Sequence, residues 1–201
     1  MLSVSLRRWD GVSARAPHPE RRGLYADGFT LYAVAGMKTL FRSIVWLALV
    51  VWLGGEFFLV VAAGAAFSST PDAHLAGSIV GTCLRVLHHE GLFCGAMIVV
   101  LLVLGRLLRI YRGSAMAGVI VTLIMMGLTA FSQFWIIPRM ETYRIAAGGV
   151  IDAVPPTNPN RVGFDRLHKV SVDVEEGVML GGVILVFLLA HASSDPRDRF
   201  A

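Results

Sequence analysis

Four apolar runs constrain this chain more than any other feature of its sequence. A membrane-spanning helix needs about 20 mostly apolar residues. Segments from about Phe41 to Phe67, Gly91 to Leu108, Ala115 to Ile137 and Val170 to His191 meet that requirement. Composition points the same way. Of 201 residues, 55% are hydrophobic and 16% charged, against about 25% charged in ordinary soluble domains. The expected fold is all-α: an integral membrane four-helix bundle, with an extra amphipathic helix between spans one and two.

That extra helix is read from "PDAHLAGSIVGTCLRVLHHEG", Pro71 to Gly91. Asp72 after Pro71 is a natural N-cap. Leu75, Ile79, Cys83 and Leu87 fall on one face; Ser78, Thr82, Arg85 and His89 fall on another. Such a helix is expected along the outer membrane interface or on the mouth of the bundle. Cys83 and Cys94 are the only cysteines. On one helix they would stand about 16 Å apart along the axis, beyond disulfide reach.

The fourth run is unusual. Its purely apolar part, Gly177 to Ala190, is about 21 Å of helix, short of the roughly 30 Å hydrocarbon core. Asp173, Glu175 and Glu176 must therefore enter the interface or the outer core. These charges read as part of the span rather than an approach to it.

Orientation follows from basic residues. The arm before the first span carries Arg7, Arg8, Arg15, Arg21, Arg22, Lys38 and Arg42. The connection after the second span adds Arg106, Arg109 and Arg112, and the tail adds Arg197 and Arg199. Arg85, Arg139, Arg144, Arg161, Arg166 and Lys169 fall on the other side. The rule puts both termini in the cytoplasm, and a bacterial inner membrane is the expected location. A span-orienting role accounts for the basic arm, so no nucleic-acid partner is expected.

"MKTLFRSIVWLALVVW" from Met37 looks like a native start. Residues 1–36 have no helical period and read as a disordered extension or the product of an upstream start codon. Residues 37–192 form the expected membrane domain and 193–201 a short cytoplasmic tail. The first apolar run is too long for a cleaved signal peptide, whose apolar region is about 7–15 residues. The proline-rich "DAVPPTNPN", Asp152 to Asn160, should be irregular.

Counting about 1.5 Å per residue brings polar groups of all four spans to one layer. Glu56 lies about 20 Å from Arg42, Glu176 about 22 Å from His191, Glu90 about 24 Å from Arg106, and Gln133 about 28 Å from Ser114. Glu56 is the strongest clue, because "WLGGEFFLVV" is apolar on both sides. A charge at mid-membrane costs at least ~2.5–3.5 kcal/mol. Glu56 should face the bundle interior, pair with a cation such as Arg85, or keep its proton. Its functional reading is a proton or cation site; the bland one is a structural hydrogen bond.

His88, His89, Glu90 and His168 supply imidazole and carboxylate of the kind that suits zinc, iron or copper. His168, Ser171 and Glu175 share a stripe on the fourth span. His89 and His168 are the candidate ligands for a divalent metal or haem, although no His-x-x-x-His pair exists, and interfacial histidines with ordinary partners are the simpler reading. In "IIPRMETYR", Pro138 marks an end or kink of the third span. Arg139 and Arg144 should pair with Glu141, Asp165, Glu175 or Glu176 and knit the outer ends together. Gly91-x-x-x-Gly95, Gly177-x-x-x-Gly181 and Gly54–Gly55 are small-residue packing faces, open to neighbouring helices or a homo-oligomer. No nucleotide loop, nucleophile elbow or zinc-protease helix is present, so no enzyme is expected.

"WLGGEFFLVVAAGAAF", "IIPRMETYR" and "FDRLHKVS" together resemble the family called domain of unknown function 4149, which includes transmembrane protein 205-like proteins. The resemblance covers about residues 40 to 191. Its most specific part is Phe164, Leu167, His168 and Ser171; Gly55, Phe57, Phe58 and Phe67 carry it in the first span. It implies a four-helix integral membrane domain and no established activity. Three functions are expected in turn: a polar site that binds or passes a proton, cation or small solute; a membrane scaffold or subunit; and a haem or metal carrier. The lipid bilayer is the partner common to all three.

Overall fold

The computed structural model describes residues 19–111 and 115–193. Five helices account for most of them: α1 (Pro19–Ser69), α2 (Ala73–Leu107), α3 (Ala115–Phe131), α4 (Ile137–Ala146) and α5 (Pro159–Ser193). A π-helical turn, Ser132–Ile136, joins α3 to α4, and a short 3-10 turn, Ile151–Ala153, precedes α5. No strand occurs among the described residues. The chain divides into a unit ending at Thr39 and a larger one beginning at Leu40. The larger unit holds Glu56, His88, Gln133 and Glu175.

Helices at Ala35–Ser69, Ala73–Leu107 and Ala115–Ala146 are long and apolar enough to cross a membrane. A helix satisfies its own backbone hydrogen bonds, which hydrocarbon cannot do. Around the bundle, Leu47, Val50, Phe58, Val61, Phe93, Leu123, Leu180 and Phe187 are exposed, as the lipid-facing side of a membrane protein requires. Inside, Val45, Leu49, Trp52, Ile98, Leu102, Met125, Val178 and Leu185 are almost wholly buried. Lipid tails are as apolar as this core, so close packing rather than water exclusion holds it.

Four expectations need correction. The amphipathic segment after Pro71 is a helix and is capped as expected, with Asp72 Oδ1 accepting from the N–H of His74 at 2.9 Å and of Leu75 at 3.2 Å. It is not separate, however; it runs into the second span as one 35-residue helix. The change from polar to apolar at "HHEG" is a change of surroundings along one helix, with no proline to interrupt the hydrogen-bond ladder. α2 is about 52 Å long, more than a core of about 30 Å requires.

The third span does not end at Pro138. Helical backbone continues to Ala146 through the widened π turn, whose closing bond runs from the N–H of Ile137 to the Ser132 carbonyl. Proline has no N–H to donate and its ring crowds the carbonyl four residues earlier; the widened turn before Pro138 re-registers the ladder. Residues 19–36, expected to lack helical structure, are helical in α1. Residues 1–18, Arg112 and the tail from residue 194 on lie outside the described residues. The segment expected as the fourth span lies within α5, a single 35-residue helix that begins eleven residues before it, at Pro159. It packs along α3 and α4.

The end of α2 has a special turn. Arg109 adopts φ +57°, while its N–H donates to the Arg106 carbonyl at 3.1 Å and the N–H of Ile110 reaches back to the Gly105 carbonyl at 2.7 Å. This is the Schellman closure, in which the left-handed position usually holds glycine. An L-residue with a Cβ costs about 1–2 kcal/mol there. The turn folds Tyr111 back over Gly105, where a side chain would collide with the phenol ring.

Candidate functional site: a buried polar cluster

Trp52 and Glu56 stand one turn apart on α1, and both are buried. The Trp52 indole Nε1–H donates to Glu56 Oε1 at 3.3 Å. The indole lies against α2 where Gly91 and Gly95, also one turn apart, leave room for it; a Cβ at either position would overlap the ring. Thus the Gly91-x-x-x-Gly95 face receives a side chain of the same chain. Gly181 and Gly182 likewise receive Met125 and Leu53.

Beside this lies a three-helix hydrogen-bond junction centred on His88, which is fully buried. His88 Nδ1 is 2.9 Å from Gln133 Oε1, and Nε2 is 2.7 Å from Glu175 Oε1. Ser132 Oγ donates to the same Glu175 oxygen at 3.1 Å. With Gln133 Oε1 accepting, Nδ1 carries hydrogen, and one proton lies between Nε2 and the Glu175 carboxyl. It can be drawn as imidazolium and carboxylate, or as neutral imidazole and acid. Ser171, one turn before Glu175, is buried too. Glu175 Oε2 is buried and makes no hydrogen bond among the described residues. Glu175, His88 and Glu90 all lie within electrostatic range of Glu56.

The π turn matters here. It decreases the angular step between successive residues, and two consecutive side chains, Ser132 and Gln133, both reach the junction. Such turns occur often at functional sites. One turn inward, Thr129 is fully buried, and its hydroxyl lacks a partner among the described residues. Beyond it the core is apolar through Met125, Ile98, Leu49 and Leu185, apart from Thr122, whose hydroxyl donates to the Gly118 carbonyl at 2.8 Å.

Of the residues singled out from sequence, hydrogen bonds bring together His88, Gln133 and Glu175; Glu56 lies within their electrostatic range, Ser171 is buried one turn before Glu175 and Glu90 is half-buried. Others lie elsewhere. Arg85 is exposed, and Glu56 takes its hydrogen bond from Trp52 rather than from Arg85. His89 is exposed, its Nδ1–H donating to the Arg85 carbonyl at 2.6 Å. His168 is exposed and stacks on Phe164 with ring centroids 6.3 Å apart. Among the described residues no three His, Cys, Asp or Glu side chains group as metal ligands. Glu176 is exposed beside Glu175.

The arginines knit the charged end in part as expected. Arg144 grips Glu141 through two hydrogen bonds, Nε to Oε2 at 2.8 Å and Nη2 to Oε1 at 2.6 Å, and also holds the Gly149 carbonyl. Arg139 takes no carboxylate among the described residues; its guanidinium lies 4.5 Å over the Trp135 ring. Arg161 instead ties the loop down, donating to the Val154 carbonyl at 2.8 Å and approaching Asp152 at 3.5 Å.

Trp52, Thr129 and Ser132 were not singled out from sequence. Trp52 is four residues before Glu56, the spacing at which side chains on a helix meet, and that signal was there to be used. Ser132 depends on the π turn, which no spacing rule announces.

Residues 47–147 match the family described as Domain of unknown function (DUF4149). The match takes in Glu56, His88, Ser132 and Gln133. No curated protein and no solved structure matches the chain.

Proposed function

The chain belongs to the DUF4149 family, and we propose that it is a membrane protein that binds a proton, or a cation in its place, at the His88–Glu175 pair and Glu56. The observation that carries this reading is the pair itself. His88 is fully buried, shares one proton with Glu175, and stands near a second buried carboxyl, Glu56. Ionisable groups inside a membrane are expensive and mark functional sites by default. A hydrogen-bonded imidazole–carboxyl pair within electrostatic range of a second buried carboxyl forms a site whose occupancy responds to pH or to a cation.

Trp52 supplies a direct readout, because its indole touches Glu56. In a variant with Trp9, Trp46 and Trp135 changed to Phe, Trp52 emission should titrate across roughly pH 4 to 9, the range in which carboxyl and imidazole groups exchange protons. Glu56→Gln keeps the shape of the side chain and should change or abolish that titration, together with any proton or cation flux into vesicles. A flat emission profile with unchanged flux in Glu56→Gln would sink the proposal.

One observation favours a second reading, that of a scaffold whose polar layer only fixes the bundle. The inner half of the core holds no buried carboxylate or imidazole among the described residues, and its Thr122 hydroxyl is bonded to its own helix. A scaffold should show no pH-dependent Trp52 signal but should still lose stability when the cluster is broken.

We place both termini in the cytoplasm of a bacterial cell, with α5 as the fourth crossing. Packing of α5 along α3 and the excess of basic residues at the Arg106 end support this topology. Reporter fusions at residues 110 and 155 should report opposite sides, with 110 cytoplasmic. The same side for both would overturn it.

A further inference from the structure

A cleft of about 400 Å³ opens between the end of α2 and the start of α3. Arg106 and Arg109 line it together with Leu102, Val103, Met116 and Val119, and no carboxylate lines it among the described residues. Both guanidiniums are in exposed residues, and neither takes part in an ion pair among the described residues. Arg106 lies about 27 Å along α2 from His88, so the cleft is remote from the polar cluster. We infer that it is a binding site for an anionic phospholipid, with the phosphate between Arg106 and Arg109 and an acyl chain against Val103, Met116 and Val119.

Two observations support this occupant independently. The first is the lining. Positive charge at one end and an apolar wall at the other match a lipid whose phosphate sits at the interface and whose chain descends into hydrocarbon. Guanidinium binds phosphate through paired, charge-assisted hydrogen bonds, and basic pockets between spanning helices are known to hold such head groups. The second is the backbone of Arg109. Its φ of +57° occupies a position where glycine fits without strain. Arg106, in the last turn of α2, is accounted for by the negative end of the helix dipole. Arg109 lies past the helix end; beyond the orienting charge it shares with Arg106, its side chain lines the cleft from a backbone position that favours glycine.

The strained position makes the test decisive, because Arg109→Gly should fold at least as well as the parent. The full chain in neutral detergent is titrated with phosphatidylglycerol or with phosphatidylcholine of the same chains. Thermal unfolding and native mass spectrometry are the readouts. Phosphatidylglycerol should raise Tm by about 5 °C or more near saturation and remain bound on the intact protein; phosphatidylcholine should do neither. Arg109→Gly should start from an equal or higher Tm and lose most of the shift, and Arg106→Gln with Arg109→Gly should lose it all. Arg85→Gln, about 31 Å along α2 from Arg106, should keep it. An equal response to both lipids would overturn the proposal, as would a full shift in the double variant. So would equal protection by inorganic phosphate, which would make the cleft a site for free anions.

Discussion

His88→Ala should destabilise the bundle by about 3–5 kcal/mol, the usual consequence of removing one partner from a buried charged pair. The imidazole is fully buried and is the only group joining α2 to both the π turn and α5 by side-chain hydrogen bonds among the described residues. Its loss leaves Glu175 with Ser132 alone and Gln133 Oε1 without a donor. A buried polar group left without a partner costs about 1–3 kcal/mol, and a charged one more. The comparison that isolates this effect is His88→Leu with Glu175→Met. That pair removes the polar demand from both sides and should recover much of the loss, since buried ion pairs are often replaceable by apolar residues of similar volume. Equilibrium unfolding in detergent for the two single variants and the double one gives the coupling. If His88→Ala costs less than about 1 kcal/mol, as an exposed pair would, water reaches the junction and the cluster is not an interior site.

Some of this was legible in the sequence, for reasons that differ from residue to residue. Glu56 could be placed inside because a carboxyl between two apolar runs has nowhere cheaper to go, and depth along a helix follows from residue number alone. Which of His88 and His89 turns inward could not be found that way. Adjacent residues on a helix point about 100° apart, and the choice depends on the rotation of α2 against α3 and α5. That rotation is fixed by contacts such as Trp52 against Gly91, which join residues distant in sequence. Of the end or kink expected at Pro138, the end does not occur: the π turn before it removes the conflict with the hydrogen-bond ladder and, in doing so, turns Ser132 and Gln133 together toward the site. The segment from Ala73 to Glu90 misled differently. Its polarity pattern is that of an interface helix, but polarity reports surroundings, and only a break in the hydrogen-bond ladder would have separated it from the second span.

Trp52→Ala should be among the most damaging single changes in the apolar core, at about 3–5 kcal/mol by comparison with large-to-small replacements in soluble cores. The indole is fully buried and fills the space that Gly91 and Gly95 leave on α2. In a membrane the loss is mainly packing, because lipid tails offer nearly the same transfer free energy as the core. The lower part of the range is therefore expected. Trp52→Phe separates two contributions: it keeps most of the ring but removes the Nε1–H donor to Glu56, a bond worth about 0.5–1.5 kcal/mol if Glu56 is neutral and about 1.5–3 kcal/mol if it is charged. Gly91→Leu approaches the same contact from the other helix. Alone it forces a side chain into the ring and should cost about 1–3 kcal/mol. Combined with Trp52→Ala it partly refills the cavity, so the double variant should be more stable than the two separate losses together imply. Additive losses would mean that Trp52 and Gly91 do not touch. The rotation of α1 against α2, and with it the placement of Glu56 beside His88, would then have to be redrawn.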